Sequence, residues 1–169
     1  MYLKNDYPSP LGTLTIVADE WFVKGVWFED QAYFGANYDL EHISSGENEV
    51  ILQVKTWLDD YFSGKNPPVD HTILAPEATE FRQKVFSALL AIPYGQTASY
   101  KEIAAVIAKQ TGKAANFSRA VGGAVGHNPI AILIPCHRVL GSDGSLTGYA
   151  GGLERKIALL EFESENKLS

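Results

Sequence analysis

The stretch that most limits how this chain can fold is SGKNPPVDHTILAPEAT, Ser63 to Thr79. Pro67, Pro68 and Pro76 lack a backbone N–H and fix φ, so no uninterrupted helix or central strand runs through it. It reads as a connection, and the two parts it joins differ in charge. Residues 1–75 hold 4 Lys against 12 Asp or Glu, whereas residues 76–169 hold 10 Lys or Arg against 8 acids. Of the net charge of −6, the first part contributes −8 and the second +2, so only the second can face a polyanion comfortably. That second part is only mildly basic, so any phosphate binding is expected to be modest and salt-sensitive. The expected division is an amino-terminal domain over 1–75 and a second domain over 76–169.

Each part carries its own periodicity. TLTIVADEWFVKGVWF (Thr13 to Phe28) gives two β-rich runs around Asp19-Glu20, a hairpin signal. From Glu47 to Gly64, Val50, Ile51, Val54, Trp57, Leu58 and Tyr61 recur at helical spacing, and Gly64 is the stop. Beyond the connection, Phe81, Val85, Phe86 and Leu89 share a helical face that ends before Pro93. SYKE (Ser99 to Glu102) is a capping box opening a helix to about Lys109. NFSRAVGGAVGHN (Asn116 to Asn128) suggests a short helix that Gly122 and Gly123 weaken by about 1 kcal/mol each relative to Ala. AILIPCHRVLGSDGSLTGYAGG reads as β-like, with Asp143-Gly144 as a hairpin turn. LERKIALLEFE (Leu153 to Glu163) reads as a closing amphipathic helix. Two short helices followed by a strand pair suggest a winged helix-turn-helix, and the fold class is expected to be α+β.

Composition narrows the setting. An apolar share of 46% is enough for a core, no apolar run is long enough to span a membrane, and the first residues lack the pattern of a signal peptide. A single cysteine excludes an internal disulfide and fits a reducing, cytoplasmic location.

That cysteine, Cys136, stands in ILIPCHRVLG. A lone cysteine is ordinarily a small buried hydrophobe. Here His137 and Arg138 follow directly, and a neighbouring base or positive charge raises a thiol's thiolate fraction. On an extended strand adjacent side chains point to opposite faces. His137 therefore reaches Cys136 only if the backbone bends at Pro135 or a water carries the proton. A histidine base also needs an anionic partner to hold its tautomer, and Glu161 and Glu163 are both candidates by spacing. Around Arg119, the residues Ala120, Val121, Gly122, Gly123 and Ala124 are too short to read base edges. They suit either tight helix packing or close, sequence-blind approach of a duplex backbone, from which one arginine enters the base stack.

PCHRV (Pro135 to Val139), RAVGGAVGHNP (Arg119 to Pro129) and GYAGGLERK (Gly148 to Lys156) together resemble the O6-alkylguanine-DNA alkyltransferases over roughly Phe81 to Glu163. The resemblance implies a ribonuclease-H-like amino-terminal domain followed by a winged helix-turn-helix domain. It implies that Cys136 accepts the alkyl group and that His137 is its base through a water. The family's glutamate would fall on Glu163. Asn128 would be the hinge after the recognition helix, and Arg119 the finger replacing a flipped guanine, with Ala120, Gly122 and Gly123 along the duplex. Tyr100 would act at the flipped base and give a proton to the departing guanine. Tyr149 would line the base pocket, with backbone at Val139 and Ala150. Ala150 and Ala131 stand where some members carry serine and proline, which leaves the pocket's tolerance for larger alkyl groups open.

The implied partner is double-stranded DNA containing O6-alkylguanine or, alternatively, O4-alkylthymine, met by a monomer with no membrane, obligate protein partner or cofactor. Some members hold zinc through two cysteines and two histidines in the first half. With only His42 and His71 there, no such metal site is expected. No second cysteine exists to reverse a thioether, so one turnover per molecule is expected. The competing readings are a Cys136–His137 hydrolase, a lesion-binding module without chemistry, and a winged-helix regulator. The first leaves Arg119 and Tyr100 without a role, the second conflicts with the cysteine, and the third lacks long polar side chains on its recognition helix.

Overall fold

Alternating apolar residues at the amino terminus build a meander. In the computed structural model, which describes residues 1–112 and 117–167, β1 (Leu3–Ser9), β2 (Gly12–Ala18) and β3 (Val23–Phe28) pair antiparallel in sequence order. The short β4 (Ser44–Ser45) joins β1 in parallel, giving the order β3-β2-β1-β4. The hairpin read at Asp19-Glu20 is thus β2–β3, while β1 and β4 had no clear sequence signal. β1 mixes Lys4, Asn5, Asp6 and Pro8 with its apolar residues, and β4 is two serines. Trp27 lies over Gly25, two residues earlier on the same face, where any Cβ would overlap the indole.

Helix α1 (Glu49–Phe62) packs on β1 and β2. Asn48 caps it by accepting from the Ile51 N–H at 2.9 Å, and Gly64 at φ 92° turns the chain away. Val50, Ile51, Val54, Leu58 and Tyr61 face the sheet's Leu14, Ile16 and Val26 in one buried core. Trp57, expected on that face, is half-buried and donates from Nε1 to the Pro67 carbonyl at 3.2 Å. The connection is also tied down. Its Leu74 bridges Val23, and the Ala75 N–H donates to the Val23 carbonyl.

Contacts divide the chain into two units: Met1–Glu77 with Pro129–Ala131, and Ala78–Asn128 with Ile132–Lys167. The short excursion Pro129–Ala131 belongs with the first unit because Val26 exchanges backbone hydrogen bonds with Pro129 and Ala131 at 2.8 and 2.9 Å. This covers the open edge of β3, which would otherwise present unpaired backbone groups. A boundary drawn by composition at 75/76 does not contain that insertion.

In the second unit, α2 (Glu80–Leu90), β5 (Ala98–Ser99), α3 (Tyr100–Thr111), α4 (Ser118–Gly126), β6 (Val139–Leu140) and α5 (Leu153–Asn166) follow in order. Helices α2, α3 and α4 pack on one another through Val85, Phe86, Leu89, Ile103, Ile107, Val121 and Ala124. The capping box at α3 is present in both directions, Ser99 with the Glu102 N–H and Glu102 with the Ser99 N–H. Asn116, read as the start of the fourth helix, lies outside the described residues, as do the last two residues of the second expected domain.

The β-like reading of 131–152 is corrected. Only Val139–Leu140 is a strand there, and it pairs in parallel with β5. Asp143-Gly144 forms a turn closed by the Gly141 N–H to the Ser145 carbonyl at 2.9 Å, but no strand returns from it among the described residues. Pro135 supplies no ladder donor, and the run after Ser145 lacks apolar alternation, so nothing sustains a hairpin. No helix among the described residues is long and apolar enough to cross a membrane.

Candidate active site

The segment before Cys136 is folded back rather than extended. Ile132, buried and β-branched, sits at φ 69°, a left-handed conformation that costs a β-branched residue of order 1–3 kcal/mol. The Asn128 amide holds this turn by donating from Nδ2 to the Ile134 carbonyl at 2.8 Å. Cys136–Arg138 then forms one turn of 3₁₀ helix. Three residues per turn send three successive side chains about 120° apart, which neither a strand nor an α-helix would do.

His137 points to α5. It is fully buried, and its Nε2 meets Glu163 Oε2 at 2.6 Å. Because a carboxylate only accepts, Nε2 carries the hydrogen there and Nδ1 is left as an acceptor. Nδ1 is buried with no hydrogen-bond partner among the described residues. Burial lowers the imidazole's pKa, opposed by the Glu163 hydrogen bond and charge, so His137 rests neutral. The choice between Glu161 and Glu163 is settled geometrically: Glu161 is exposed, and Glu163 is 0% exposed. Burial would raise the Glu163 pKa, but the His137 hydrogen bond together with the hydrogen bonds and charge of Arg138 outweighs it and brings it down to about 2.

Arg138 does not serve the thiol. Its Nε and Nη2 donate to Glu163 Oε1 and Oε2 at 2.8 and 3.1 Å, and its Nη1 donates to the Ile92 carbonyl at 2.8 Å. Cys136 is buried, and its surroundings run against the raised thiolate fraction expected from its sequence neighbours. Burial pushes the thiol up to about 11, while the Asn128 side-chain hydrogen bond and the Lys156 charge pull the other way without reversing it. The free protein therefore carries a neutral thiol beside a neutral base.

Lys156, which the sequence reading did not single out, is fully buried on α5 and donates from Nζ to the Val139 carbonyl at 2.6 Å and the Thr147 carbonyl at 3.0 Å. No carboxylate among the described residues pairs with it. A signal for it did exist. Lys156, Leu159 and Glu163 share one helical face, and all three are buried, while Leu153 and Ile157 are exposed. Polar groups on the inward face of a helix require partners inside.

The remaining expected residues fall in two groups. Val139 is buried beside the Lys156 ammonium, Ala150 is half-buried, and the Tyr149 hydroxyl is buried without a hydrogen-bond partner among the described residues. Tyr100 opens α3, half-buried, and its hydroxyl accepts from Thr147 Oγ1 at 3.3 Å. Because Lys156 binds the Thr147 carbonyl, Tyr100 and Val139 are linked through two residues. Arg119 and Ala120 are exposed on α4, and a Cβ at Gly122 or Gly123 would meet nothing within 4 Å. That helix face is smooth, with its arginine the one long side chain among these four. No cluster of three metal-ligating side chains occurs among the described residues.

Comparison with known proteins finds matches across both parts of the chain. Residues 80–165 match the family described as 6-O-methylguanine DNA methyltransferase, DNA binding domain, and residues 3–75 match its ribonuclease-like domain. The chain is 55% identical over 158 residues to the methylated-DNA–protein-cysteine methyltransferase of Methanosarcina barkeri, covering 94% of each. It is 43% identical over 157 residues to the protein of that name from Haemophilus influenzae, covering 93% of this chain and 83% of the other. Among solved structures it is similar to the Mycobacterium tuberculosis O6-methylguanine methyltransferase, with a TM-score of 0.80, 39% identity and coverage of 98% and 94%. It is also similar to the Mycobacterium tuberculosis OGT in complex with DNA, with a TM-score of 0.79, 40% identity and coverage of 98% and 93%.

Proposed function

Since this chain belongs to the 6-O-methylguanine DNA methyltransferase family, we propose that it repairs duplex DNA by moving the alkyl group of an O6-alkylguanine onto the sulfur of its own Cys136. The observation that carries this reading is the buried His137–Glu163 contact of 2.6 Å adjoining the chain's one cysteine. As the lesion base enters, the Cys136 proton passes to His137 Nδ1 through a water, and the imidazolium is held by Glu163. The sulfur attacks the alkyl carbon in line with O6, so an S–C bond forms as the C–O6 bond breaks. Tyr100 gives a proton to the departing guanine and regains one from His137 by way of solvent. On balance, the thiol's proton ends on guanine and the protein ends as a thioether.

The smooth face of Arg119, Ala120, Gly122 and Gly123 follows the duplex without reading it. Arg119 fills the gap left by the extruded base. Asn128 holds the turn between that helix and the thiol, and Tyr149 with the backbone of Val139 and Ala150 receives the base. Residues 1–75 then act as a separate acidic domain, while 76–169 carry the DNA contacts and the chemistry. The protein works once per molecule, as a monomer in the cytoplasm with no cofactor or obligate protein partner. Intact-protein mass spectrometry after mixing with an O6-methylguanine duplex tests this. The expected result is a gain of one methyl, absent in C136A. An unchanged mass, or many products per protein molecule, overturns it.

A further inference from the structure

Arg138 contributes nothing to the thiol directly, yet the fold spends a nearly buried guanidinium, 8% exposed, on it. Its fork lies against Glu163 at 2.8 and 3.1 Å, its third nitrogen holds the Ile92 carbonyl, and its carbon stands 5.7 Å from the Tyr94 ring centroid. We propose that Arg138 is a positioning residue that fixes the histidine's tautomer: by occupying both Glu163 oxygens it makes Nδ1 of His137 the bare nitrogen that takes the Cys136 proton. This rests on the alkyl-transfer reading above and assigns a role to the third residue of the Cys-His-Arg triplet.

The argument is one of donors and lone pairs. Oε1 of Glu163 receives the Arg138 Nε–H and the Gly95 N–H, the latter at 3.2 Å, and Oε2 receives the Arg138 Nη2–H and the His137 Nε2–H. Each carboxylate oxygen has about two lone-pair sites, so these donors leave none for a proton. Without the guanidinium, a buried carboxylate 2.6 Å from an imidazole has a second arrangement. The carboxylate, no longer neutralised by the guanidinium, takes up a proton from solvent and donates it to Nε2, and the imidazole carries its one hydrogen on Nδ1, pointing away from Glu163. That tautomer presents a hydrogen to the thiol and is unable to accept one.

The other charged and titratable groups facing this cluster are Lys156 on α5, which acts on His137 and Cys136, Tyr94 after α2, which feels Glu163 and Arg138, and Tyr149, which feels Cys136, Arg155 and Glu163. Lys156 makes no bond to Glu163, and Tyr94 is pushed up by burial first and then by the Glu163 charge. The bidentate fork is therefore the device that selects the tautomer, and a lysine's point charge does not reproduce it.

Nitrogen-15 NMR of His137 in the free protein reads this directly, beside the pH profile of methyl transfer from an O6-methylguanine duplex. In the wild type, Nδ1 is unprotonated at neutral pH. In R138M, Nδ1 gains proton occupancy and transfer slows by about tenfold to a hundredfold, within what a positioned base supplies, while binding to undamaged duplex is unchanged. R138K, which keeps the charge and preserves folding where R138M does not, falls between the two in both readouts. A wild-type tautomer and pH profile in R138M, or in R138K should R138M fail to fold, overturns the proposal. Because the NMR signal needs no substrate, it judges Arg138 even if the wild type transfers no methyl group, an outcome that would instead sink the alkyl-transfer reading.

Discussion

Replacing Glu163 by glutamine removes a charge that the folded protein holds in place from four directions. In the native state its carboxyl titrates at about 2, against an ordinary 4.5. At about 1.4 kcal/mol per pH unit, that difference makes the ionised group a stabilising contribution of about 3 kcal/mol. Glu163 is fully buried, so solvent screening does not reduce this figure. Above pH 4.5 the carboxyl is ionised in both the folded and unfolded chain, and the contribution is complete. As acid is added the unfolded chain takes up the proton first, so the contribution drains away between about pH 4.5 and 2. E163Q loses it at every pH. It also turns an amide N–H toward the N–H groups of Arg138 or His137, since only one of its two terminal atoms accepts. Near neutral pH the variant should therefore be about 3–5 kcal/mol less stable, the usual cost of breaking a buried ion pair. The gap should close as the pH falls toward 2. Urea titrations followed by far-ultraviolet circular dichroism at pH 7, 5, 4 and 3 measure both quantities. Parallel stability–pH curves for wild type and E163Q below pH 5 would refute the reasoning, because they would mean that the carboxylate is no better held in the folded state than in the unfolded one.

Gly122→Ala and Gly123→Ala each add a methyl to open space inside a helix, and each should stabilise the protein by about 0.5–1 kcal/mol in thermal melts. If α4 approaches a duplex backbone closely, the same substitutions weaken binding to undamaged DNA by fluorescence anisotropy; unaltered affinity would remove the groove-face reading. Lys156→Gln deletes the positive charge that favours the Cys136 thiolate at neutral pH, so methyl transfer there should slow. An unchanged transfer rate would show that the ammonium serves the Val139 and Thr147 carbonyls alone. Arg119→Ala should slow transfer from a duplex far more than transfer from the free alkylated base. Equal slowing on both substrates counts against the finger role.

The β2–β3 hairpin, the capping box and the helical faces were legible because each depends on residues close in sequence: the runs either side of Asp19-Glu20, Ser99 with Glu102, the period of α1. Cys136 beside His137 stood out as a candidate site for the same reason, being neighbours in the chain. Where the reading failed, the missing information lay elsewhere in the chain. Val139–Leu140 found its strand partner in Ala98–Ser99 instead of across the Asp143-Gly144 turn, and Pro129–Ala131 left its sequence neighbours for the edge of β3.

The sequence by itself determined the reactive groups and the local elements that carry them. The tertiary structure decided which group answers which. Arg138 stands two positions from the thiol in the chain, yet the 3₁₀ turn rotates it onto a carboxylate 25 residues away, and Lys156 arrives from α5 to supply the positive charge near sulfur instead. Hydrogen bonds and buried charges act over a few ångströms and in fixed directions, so their partners are chosen by how elements pack, a long-range outcome that adjacency in the chain does not encode.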